Sequence, residues 1–395
     1  MFKLIERINS LRIVHLCLSN FYYDNFSYQE NLLVRQNIKD GHNVLVIAST
    51  ESLDKNGSVS FLSCSKYLGS DGANVVRLPY NEFVPKKIRH KFRSYDGLFN
   101  ELSKFVPNII YFHGISAYEL LVVKKYKILN PKVKFIVDVH SDKNNSATNW
   151  ISKNFLHKVF YKSIFQSTLP YIDKVFCCSM EAMDFAIELY GAPKEKAEFY
   201  PLGGFCLDDQ EYNSKREKQR EQLKLTDNNI MLLQTGKFNK KKKLLEALEN
   251  FIKVDDPSLV YIVAGSLEQD IKDDALKLIS LDKRINYIGW VDAEKIQSLL
   301  CASDIYVQPG SQSATMQQSL CLRNPVILAN VKSHYPFIDN NGWLIDDTDE
   351  LEGIFSMIAE NKNNILNMSE KSFNIAKSLL DYKVLAQKIY DLNVI

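Results

Sequence analysis

The most constraining feature of this sequence is a repeated pattern in its second half, where short apolar runs end at a glycine and helical patterns follow. The runs read IMLLQTG, LVYIVAG, INYIGWV and DIYVQPG. Such alternation predicts a doubly wound, mostly parallel α/β sheet with helices on both faces. Ligands bind beyond the carboxyl ends of the strands in these sheets, so the residues after each run are the first candidates for a site.

The first half repeats the pattern, with the runs RIVHLCLS, HNVLVIAS, NVVRLP, NIIYFHG, KFIVDVHS and KVFCCS. A polar stretch from Asp208 to Asn229 separates the halves, and 395 residues exceed what a single core usually supports. We therefore expect two α/β domains, residues 1–204 and 205–371, and a C-terminal crossover segment, 372–395, that returns to the first domain. Apolar residues at helical spacing further predict helices over Trp150–Phe165, Met180–Tyr190 and Ser372–Leu392.

The amino-acid composition favours a globular protein and disfavours several other classes of protein. Apolar residues make up 46% and charged residues 24% of the chain, as in globular proteins. No apolar run approaches the roughly 18 residues of a membrane span, and the N-terminus reads as a lead-in to the first strand and not as a signal peptide. The seven cysteines lack CxxC spacing, which favours reduced thiols, and a net charge of +2 disfavours nucleic acid as a partner. We expect a cytoplasmic protein.

The second half contains two further motifs, TGKFNKKKKLLEAL and QPGSQSATMQQSLCLRNPVI. Together with the apolar runs, they form a characteristic order of motifs from Thr235 to Ile345. This order resembles the nucleotide-binding half of family-four retaining glycosyltransferases, of the type that builds bacterial polysaccharides and glycolipids. Residues 12–204 resemble the other half more weakly. The resemblance implies the GT-B fold, in which two Rossmann-like domains face each other across a cleft. It also implies a nucleoside diphosphate sugar donor, with a UDP-sugar favoured, and no cofactor or metal.

The first of these phrases is a strand, a glycine turn, a basic loop and a helix. Glycine permits close approach of the backbone, and lysines can meet a diphosphate. The family has a glycine, a cation and a second lysine here; Gly236 and Lys237 match the first two. Counting back from the helix favours Lys240 as the second lysine, with Lys242 next. The resemblance implies that Lys237 and Lys240 stabilise the leaving diphosphate, while Gly236 and Lys242 help to bind the donor.

The second phrase offers hydroxyl groups and a helix start with free backbone N–H groups, which together suit an anion. The family has two glutamates here, eight positions apart, which contact the donor sugar and the ribose. This chain has neither, since the first falls near 310–312 and the second on Gln318. An amide accepts a weaker hydrogen bond, so an altered sugar preference and an inactive homologue both stay open. The donor-binding candidates are Gln312, Ser313, Ala314, Thr315, Gln317 and Gln318. Gln317 is alternatively a helix-surface residue.

INYIGWV matches the family strand and turn that line the nucleotide base. Gly289, Trp290 and Val291 are therefore donor-binding candidates, although Trp290 could equally cover the domain edge. We expect Asp304 to be structural. The triplet 347–349 has the DxD spelling of a metal site, but it is distant from every nucleotide phrase and is expected to cap a helix.

In the first half, two histidines end neighbouring predicted strands, where a cleft is expected. His140 matches the family histidine that contacts the donor sugar and is predicted to be catalytic. His113 matches more weakly and is placed on the acceptor or phosphate side. The segment before the first helix stands where the family has a turn over the donor phosphates, and its candidates are Ser27, Tyr28 and Gln29.

Five cations lie within eight residues, namely Lys86, Lys87, Arg89, Lys91 and Arg93. Such a cluster suits an anionic membrane surface or a lipid diphosphate, with about 1 kcal/mol from each nearby cation. A solvated helix face or loop explains the cluster equally well. A membrane contact would place the protein peripherally on the inner face of the membrane.

We therefore expect a metal-independent hexosyltransferase that moves a sugar to a saccharide or lipid-linked acceptor in cell-surface polysaccharide synthesis. Two alternatives remain open at this point. A sugar-nucleotide epimerase on the same fold would interconvert the free sugar nucleotide without an acceptor. A non-catalytic relative would bind the nucleotide and turn nothing over.

Overall fold

A computed structural model of the chain describes residues 10–24, 26, 28–53, 59–85, 88–141, 157, 159–311 and 313–392. Four predicted site or surface residues, Ser27, Lys86, Lys87 and Gln312, lie outside the described residues. Backbone contacts divide the chain into two compact units, which are Met1–Pro201 with Leu385–Ile395, and Leu202–Val384. The C-terminal residues thus group with the first unit.

The first unit is built on an eight-stranded sheet with the order β10-β9-β8-β7-β1-β2-β6-β5. Its strands are β1 (Arg12–Cys17), β2 (Asn43–Ser49), β5 (Lys66–Leu68), β6 (Asn74–Leu78), β7 (Ile109–Phe112), β8 (Lys134–Val139), β9 (Lys174–Cys177) and β10 (Ala197–Phe199), while β3 (Glu51–Leu53) and β4 (Val59–Phe61) form a separate hairpin. All pairs in the large sheet are parallel except β5 with β6. The six predicted strands are confirmed.

Helices cover this sheet. They are α1 (Gln29–Lys39), α2 (Arg89–Phe92), α3 (Leu98–Phe105), α4 (Leu120–Leu129), α5 (Lys162–Thr168) and α6 (Met180–Asp184). Half of the residues of the helix predicted over 150–165 lie outside the described residues. Residues 157 and 159–161 are π-helical, and the α-helix begins at Lys162. The helix predicted over 180–190 is α-helical only to Asp184 and continues as a π-helix over Phe185–Leu189.

The second unit has a six-stranded, fully parallel sheet with the order β13-β12-β11-β14-β15-β16. Its strands are β11 (Ile230–Phe238), β12 (Leu259–Leu267), β13 (Ile285–Gly289), β14 (Ile305–Gln308), β15 (Val326–Ala329) and β16 (Gly342–Ile345). Its helices are α7 (Asp209–Gln222), α8 (Leu244–Lys253), α9 (Lys272–Leu281), α10 (Ala293–Ala302), α11 (Ala314–Cys321), α12 (Glu350–Glu360) and α13 (Lys362–Leu379), and α14 (Tyr382–Asp391) follows. The predicted doubly wound α/β fold is confirmed in both units.

Helix α7 replaces the featureless polar stretch that the sequence suggested between the halves. Two of its arginines, Arg216 and Arg220, pair with Asp304 at 2.5 and 3.0 Å. The same carboxylate accepts a hydrogen bond from the Met231 N–H at 2.7 Å. Asp304 therefore fastens α7 to the amino-terminal ends of the central strands β11 and β14, and its predicted structural role is confirmed.

The C-terminal segment differs from the prediction of one helix over 372–392. The chain breaks between α13 and α14, where the Asp381 carboxylate accepts a hydrogen bond from the Lys383 N–H at 2.9 Å. Asp381 thereby satisfies an N–H group at the start of α14 and allows a new helix direction. Among the helices of the described residues, none is long and apolar enough to cross a membrane.

Candidate active site

The carboxyl ends of β11 and β12 approach each other unusually closely. Gly236 and Gly265 are partners in the strand register. Gly265 has a φ of +144°, and a Cβ atom there would lie 1.8 Å from the Gly236 carbonyl oxygen. Only glycine fits this position, because a side chain would collide with the backbone. The two glycines leave room at the carboxyl ends of β11 and β12, where the basic loop begins.

The basic loop packs directly against the Pro-Gly turn that follows β14. A Cβ atom on Gly310 would lie 2.2 Å from the Lys241 carbonyl oxygen. The Ser311 N–H donates to that same oxygen at 2.9 Å, and Lys242 Nζ donates to the Ser311 carbonyl at 3.1 Å. The two phrases that the sequence singled out separately are thus brought together in one unit.

Helix α11 begins beside this contact. The Ser313 hydroxyl caps it by accepting a hydrogen bond from the Thr315 N–H at 3.1 Å, and Ala314 is exposed. Beneath the helix start, the buried Tyr306 hydroxyl lies 2.9 Å from Thr235 Oγ1 and ties β14 to β11. The first turn of a helix carries unsatisfied N–H groups and a partial positive charge, so this edge suits an anion.

The lysines of the loop differ in their surroundings. Lys237 is 75% exposed and pairs with Glu268 at 2.7 Å, which raises the Lys237 pKa. The Lys242 side chain is half-buried, and its Cε lies 3.8 Å from where a Cβ on Gly236 would sit. Burial lowers the pKa of Lys242. Lys240 is exposed. Of the two candidates for the second lysine, Lys242 is the one held between the glycine turn and Ser311.

The two glutamines of α11 are not equivalent. Gln317 is buried, and its Oε1 accepts a hydrogen bond from the Gly203 N–H at 2.9 Å. The alternative of a helix-surface residue is therefore wrong, and Gln317 fixes α11 to the turn at Gly203–Gly204. Gln318 is half-buried. Donor binding by either glutamine stays a prediction.

The remaining candidates of the second unit lie at two other turns. After β13, Gly289 has a φ of +74°, Val291 is half-buried and Trp290 is 76% exposed, which leaves the indole free to stack on a base. At the start of α12, the Asp347 carboxylate accepts from the Asp349 N–H at 3.0 Å. This bond closes a turn before the helix, and the N-cap residue Asp349 forms no side-chain capping bond, so the helix-cap prediction for the DxD triplet is not confirmed.

In the first unit, a buried carboxylate that the sequence prediction missed joins the two predicted histidines. Asp138 Oδ2 lies 2.6 Å from His113 Nδ1 and 3.3 Å from His140 Nε2, while its Oδ1 accepts from the Gly114 N–H at 2.7 Å. Burial favours the neutral acid, yet the histidines lower the pKa of Asp138 below its ordinary range. Against the effect of burial, Asp138 in turn raises the pKa of His140 to about 9. The Asp138 carboxylate therefore favours the protonated form of His140.

One group of described side chains has spacing suitable for a metal ion. The Glu30 carboxylate and one ring nitrogen each of His113 and His140 lie within 4.8 Å of one another. Both ring nitrogens of His113 already take part in hydrogen bonds, to Asp138 and to His15. A metal would have to displace one of these bonds, and the expectation of no metal stays a prediction.

Other predicted residues of the first unit have structural partners. Gln29 is buried, and its Nε2 donates to the Pro201 carbonyl at 2.7 Å, whereas Tyr28 is 49% exposed just before α1. Arg93 does not belong to an exposed basic cluster. Its guanidinium donates to Ser19 Oγ at 3.0 Å and to the Ser116 carbonyl at 3.1 Å, because it follows α2 in a left-handed turn that points the side chain inward.

Comparison with known proteins adds two family matches. The family described as Glycosyl transferases group 1 matches residues 215–373, and the family described as Glycosyltransferase Family 4 matches residues 32–203. An uncharacterized glycosyltransferase of Methanocaldococcus jannaschii is 27% identical over 259 residues, which are 60% of this chain and 64% of that protein. The match thus spans less than two thirds of that relative.

Solved structures share the fold at low identity. Anabaena HepE in complex with UDP and glucose is 15% identical, with 97% of this chain and 99% of that chain covered and a TM-score of 0.62. A glycosyltransferase from Rickettsia africae is also 15% identical, with 98% and 99% covered and a TM-score of 0.67. The two family matches, which follow one another along most of the chain, support a glycosyltransferase, and the solved structures show that the chain shares their fold.

Proposed function

We propose that the protein is a retaining, metal-independent hexosyltransferase that takes a sugar from a nucleoside diphosphate sugar. The acceptor is a saccharide or a lipid-linked saccharide in cell-surface polysaccharide synthesis. A UDP-sugar is the favoured donor, since Anabaena HepE, which shares this fold, was solved with UDP. The retaining outcome rests on the resemblance of the sequence to family-four enzymes.

The observation that carries this proposal is the contact between the basic loop and the start of α11. Lys242 Nζ reaches the Ser311 carbonyl, and Gly310 lets the Lys241 carbonyl approach, so a cation and a helix start occupy the same edge. A diphosphate bound there would exchange water for charge-assisted hydrogen bonds of about 1.5–3 kcal/mol each. The same bonds strengthen as negative charge develops on the departing diphosphate, which is how they would speed transfer.

The first unit supplies the second part of the proposal. The Asp138 carboxylate favours the protonated form of His140 at the carboxyl end of β8. A fixed cation at a strand end can donate a hydrogen bond to a sugar hydroxyl without reorganising during the reaction. We assign His140 to the transfer step and the second unit to donor binding.

We also propose that the protein binds peripherally to a membrane. Fewer residues support this contact than the five cations that the sequence singled out. With Arg93 turned inward, the described cations of this surface are Arg89 and Lys91. Phe83 is 97% exposed nearby in sequence, and Ile88 is 38% exposed. Exposed aromatic and basic residues together suit an anionic lipid surface on the acceptor side.

A donor panel tests the proposed function. Purified protein is incubated with UDP-, GDP-, CDP- and ADP-hexoses and a lipid-linked saccharide acceptor, with and without EDTA, and product is followed by mass spectrometry. We expect a glycosylated acceptor with one nucleotide class, at an unchanged rate in EDTA. Conversion of the free donor without acceptor would indicate an epimerase instead. Loss of activity in EDTA that Mn²⁺ or Mg²⁺ restores would contradict metal independence and point to Glu30, His113 and His140.

Replacing Gly310 tests whether the loop and the turn must touch. Gly310→Ala places a methyl group 2.2 Å from the Lys241 carbonyl oxygen, so the basic loop has to move away from Ser311. We expect nucleoside diphosphate affinity to fall about tenfold, equivalent to about 1.4 kcal/mol. Gly353→Ala is the matched control, because a Cβ atom there meets nothing within 4 Å. Equal affinities for the two variants in calorimetry would remove the contact from the binding site.

A further inference from the structure

The strand order of the first sheet reverses between β1 and β7. Along the chain, β1, β2 and β6 extend the sheet in one direction, and β7, β8 and β9 then extend it from the other side of β1. In an open α/β sheet, ligands bind at such a switch point, in the crevice beyond the carboxyl ends of the two strands. The loops that follow β1 and β7 are therefore the place to look for a ligand site in this unit.

The guanidinium group of Arg93 joins these two loops. Its Nη1 donates to the Ser19 hydroxyl at 3.0 Å and to the Ser116 carbonyl at 3.1 Å. Ser19 follows β1, and Ser116 follows β7. The Ser116 N–H also donates to the Ser19 hydroxyl, at 3.2 Å. Arg93 is therefore fixed at the switch point, and the groups that fix it carry no charge.

The positive charge of Arg93 lacks a counterion. Among the residues that the structure describes, no carboxylate pairs with this half-buried side chain, and neither Nε nor Nη2 has a hydrogen-bond partner. The Nε atom is buried. In contrast, the buried Arg77 of β6 in the same unit pairs with Asp24 at 3.3 Å. A partly buried cation without a counterion is costly, so an anionic ligand would be favoured here.

The titratable groups around Arg93 supply no negative charge. Burial raises the pKa of the tyrosines near the guanidinium and lowers that of the neighbouring histidine, which favours the uncharged forms of Tyr95, Tyr161, Tyr190 and His157. The Phe21 ring also lies beside Arg93, with its centroid 5.8 Å from Cζ. Surroundings of this kind screen charge weakly and so strengthen the attraction of Arg93 for an anion.

One edge of the guanidinium and the Ser19 hydroxyl can still donate hydrogen bonds. Nε–H and Nη2–H lie side by side on the planar group, in the geometry that matches two oxygens of one anion. Ser19 Oγ accepts from Arg93 and from the Ser116 N–H, and it donates to no acceptor in the described part of the chain. Its hydroxyl proton can therefore be donated to a ligand. Three donors suit the three oxygens of a phosphate better than the two oxygens of a carboxylate.

We propose that Arg93 and Ser19 bind a phosphate group of the acceptor, which makes the acceptor a phosphorylated compound. The site lies close to the residue assigned to the transfer step, because His140 follows β8, β8 is the neighbour of β7, and adjacent strands are about 4.8 Å apart. This inference rests on the proposed function, since only a transferase has an acceptor. The phosphate belongs either to a lipid diphosphate or to a sugar phosphate.

Calorimetry on the full chain tests the site with probes of both kinds. UDP is added to saturation first, so that the proposed donor site in the second unit is occupied. Geranyl diphosphate is then compared with geraniol, and glucose 1-phosphate with methyl glucoside. We expect at least one phosphate to bind the wild-type protein at least about tenfold more tightly than its neutral counterpart, and Arg93→Gln to lose this preference. The phosphate that binds more tightly identifies the source.

Arg12→Gln is the matched control, because it removes the same charge from an exposed arginine at the amino end of β1. Its phosphate affinity should equal that of the wild-type protein. Ser19→Ala keeps the charge of Arg93 and serves if Arg93→Gln does not fold. It should weaken phosphate binding by at least about threefold, because one donor is lost.

Three results would overturn the inference. The first is a wild-type protein that binds neither phosphate more tightly than the neutral counterpart. The second is equal phosphate affinity in Arg93→Gln and Arg12→Gln. The third is a loss of UDP affinity in Arg93→Gln, which would assign Arg93 to the donor phosphates. Failure of the wild-type protein to bind UDP would contradict the proposed function instead, and the comparison of the two arginine variants would still decide the phosphate site.

Discussion

The variant His140→Ala is expected to lower kcat by about 100-fold while leaving nucleoside diphosphate affinity within about twofold of the wild type. The Asp138 carboxylate lies 3.3 Å from His140 Nε2 and favours the protonated imidazole, and we assign His140 to the donor sugar. An interaction that strengthens only in the transition state appears in kcat, whereas a uniform binding contact appears in affinity. Steady-state kinetics with calorimetry on the same preparation separates the two.

His90→Ala is the control, because it removes an exposed histidine of α2 from the same unit. Folding of His140→Ala is checked by its pH dependence. The His140 pKa is raised to about 9 in the fold, so its charge stabilises the fold fully below its ordinary pKa of about 6.5. That contribution is lost as the pH rises through 9. The variant should therefore lose more stability at pH 6 than at pH 9.5, and normal turnover in a folded variant would return His140 to a structural role.

The second large effect is expected for Lys242→Ala, which should weaken nucleoside diphosphate binding by about 10- to 150-fold. This range corresponds to one charge-assisted hydrogen bond of about 1.5–3 kcal/mol. Lys242 is singled out because its side chain runs beside Gly236 and its Nζ reaches the Ser311 carbonyl at 3.1 Å. Its half-buried position restricts the side chain before the ligand arrives, so little further ordering opposes binding. Lys237, in contrast, is exposed and must first leave Glu268.

The sheets could be predicted because their strands are buried on both faces and read as unbroken apolar runs. The short strands β5 and β10 could not, since each has three residues at an edge and no apolar run of its own. Helix α7 was missed for a related reason. It is polar around most of its surface and is fastened by Arg216 and Arg220 to Asp304, more than 80 positions along the chain.

The residues of the candidate site could be predicted together only where they belong to one sequence motif. Gly236 and the lysines are neighbours in sequence, but which lysine is held depends on Gly310 and Ser311, and only the fold brings these together. The contact between His15 and His113 could not be predicted from the sequence either. His15 and His113 are 98 positions apart and meet because β1 and β7 are paired in the sheet. A carboxylate inside an apolar run, Asp138 in KFIVDVHS, was the available signal.

Isothermal titration of UDP into Lys242→Ala and Lys241→Ala tests the central claim most directly. The two variants remove the same charge from the same loop, but Lys241 is exposed, whereas Lys242 is held against the turn at Ser311. The account predicts a loss of about 10- to 150-fold in affinity for Lys242→Ala and a change of less than about threefold for Lys241→Ala. Equal affinities in the two variants would show that the loop attracts the nucleotide only by its overall charge, and would contradict the proposed diphosphate site.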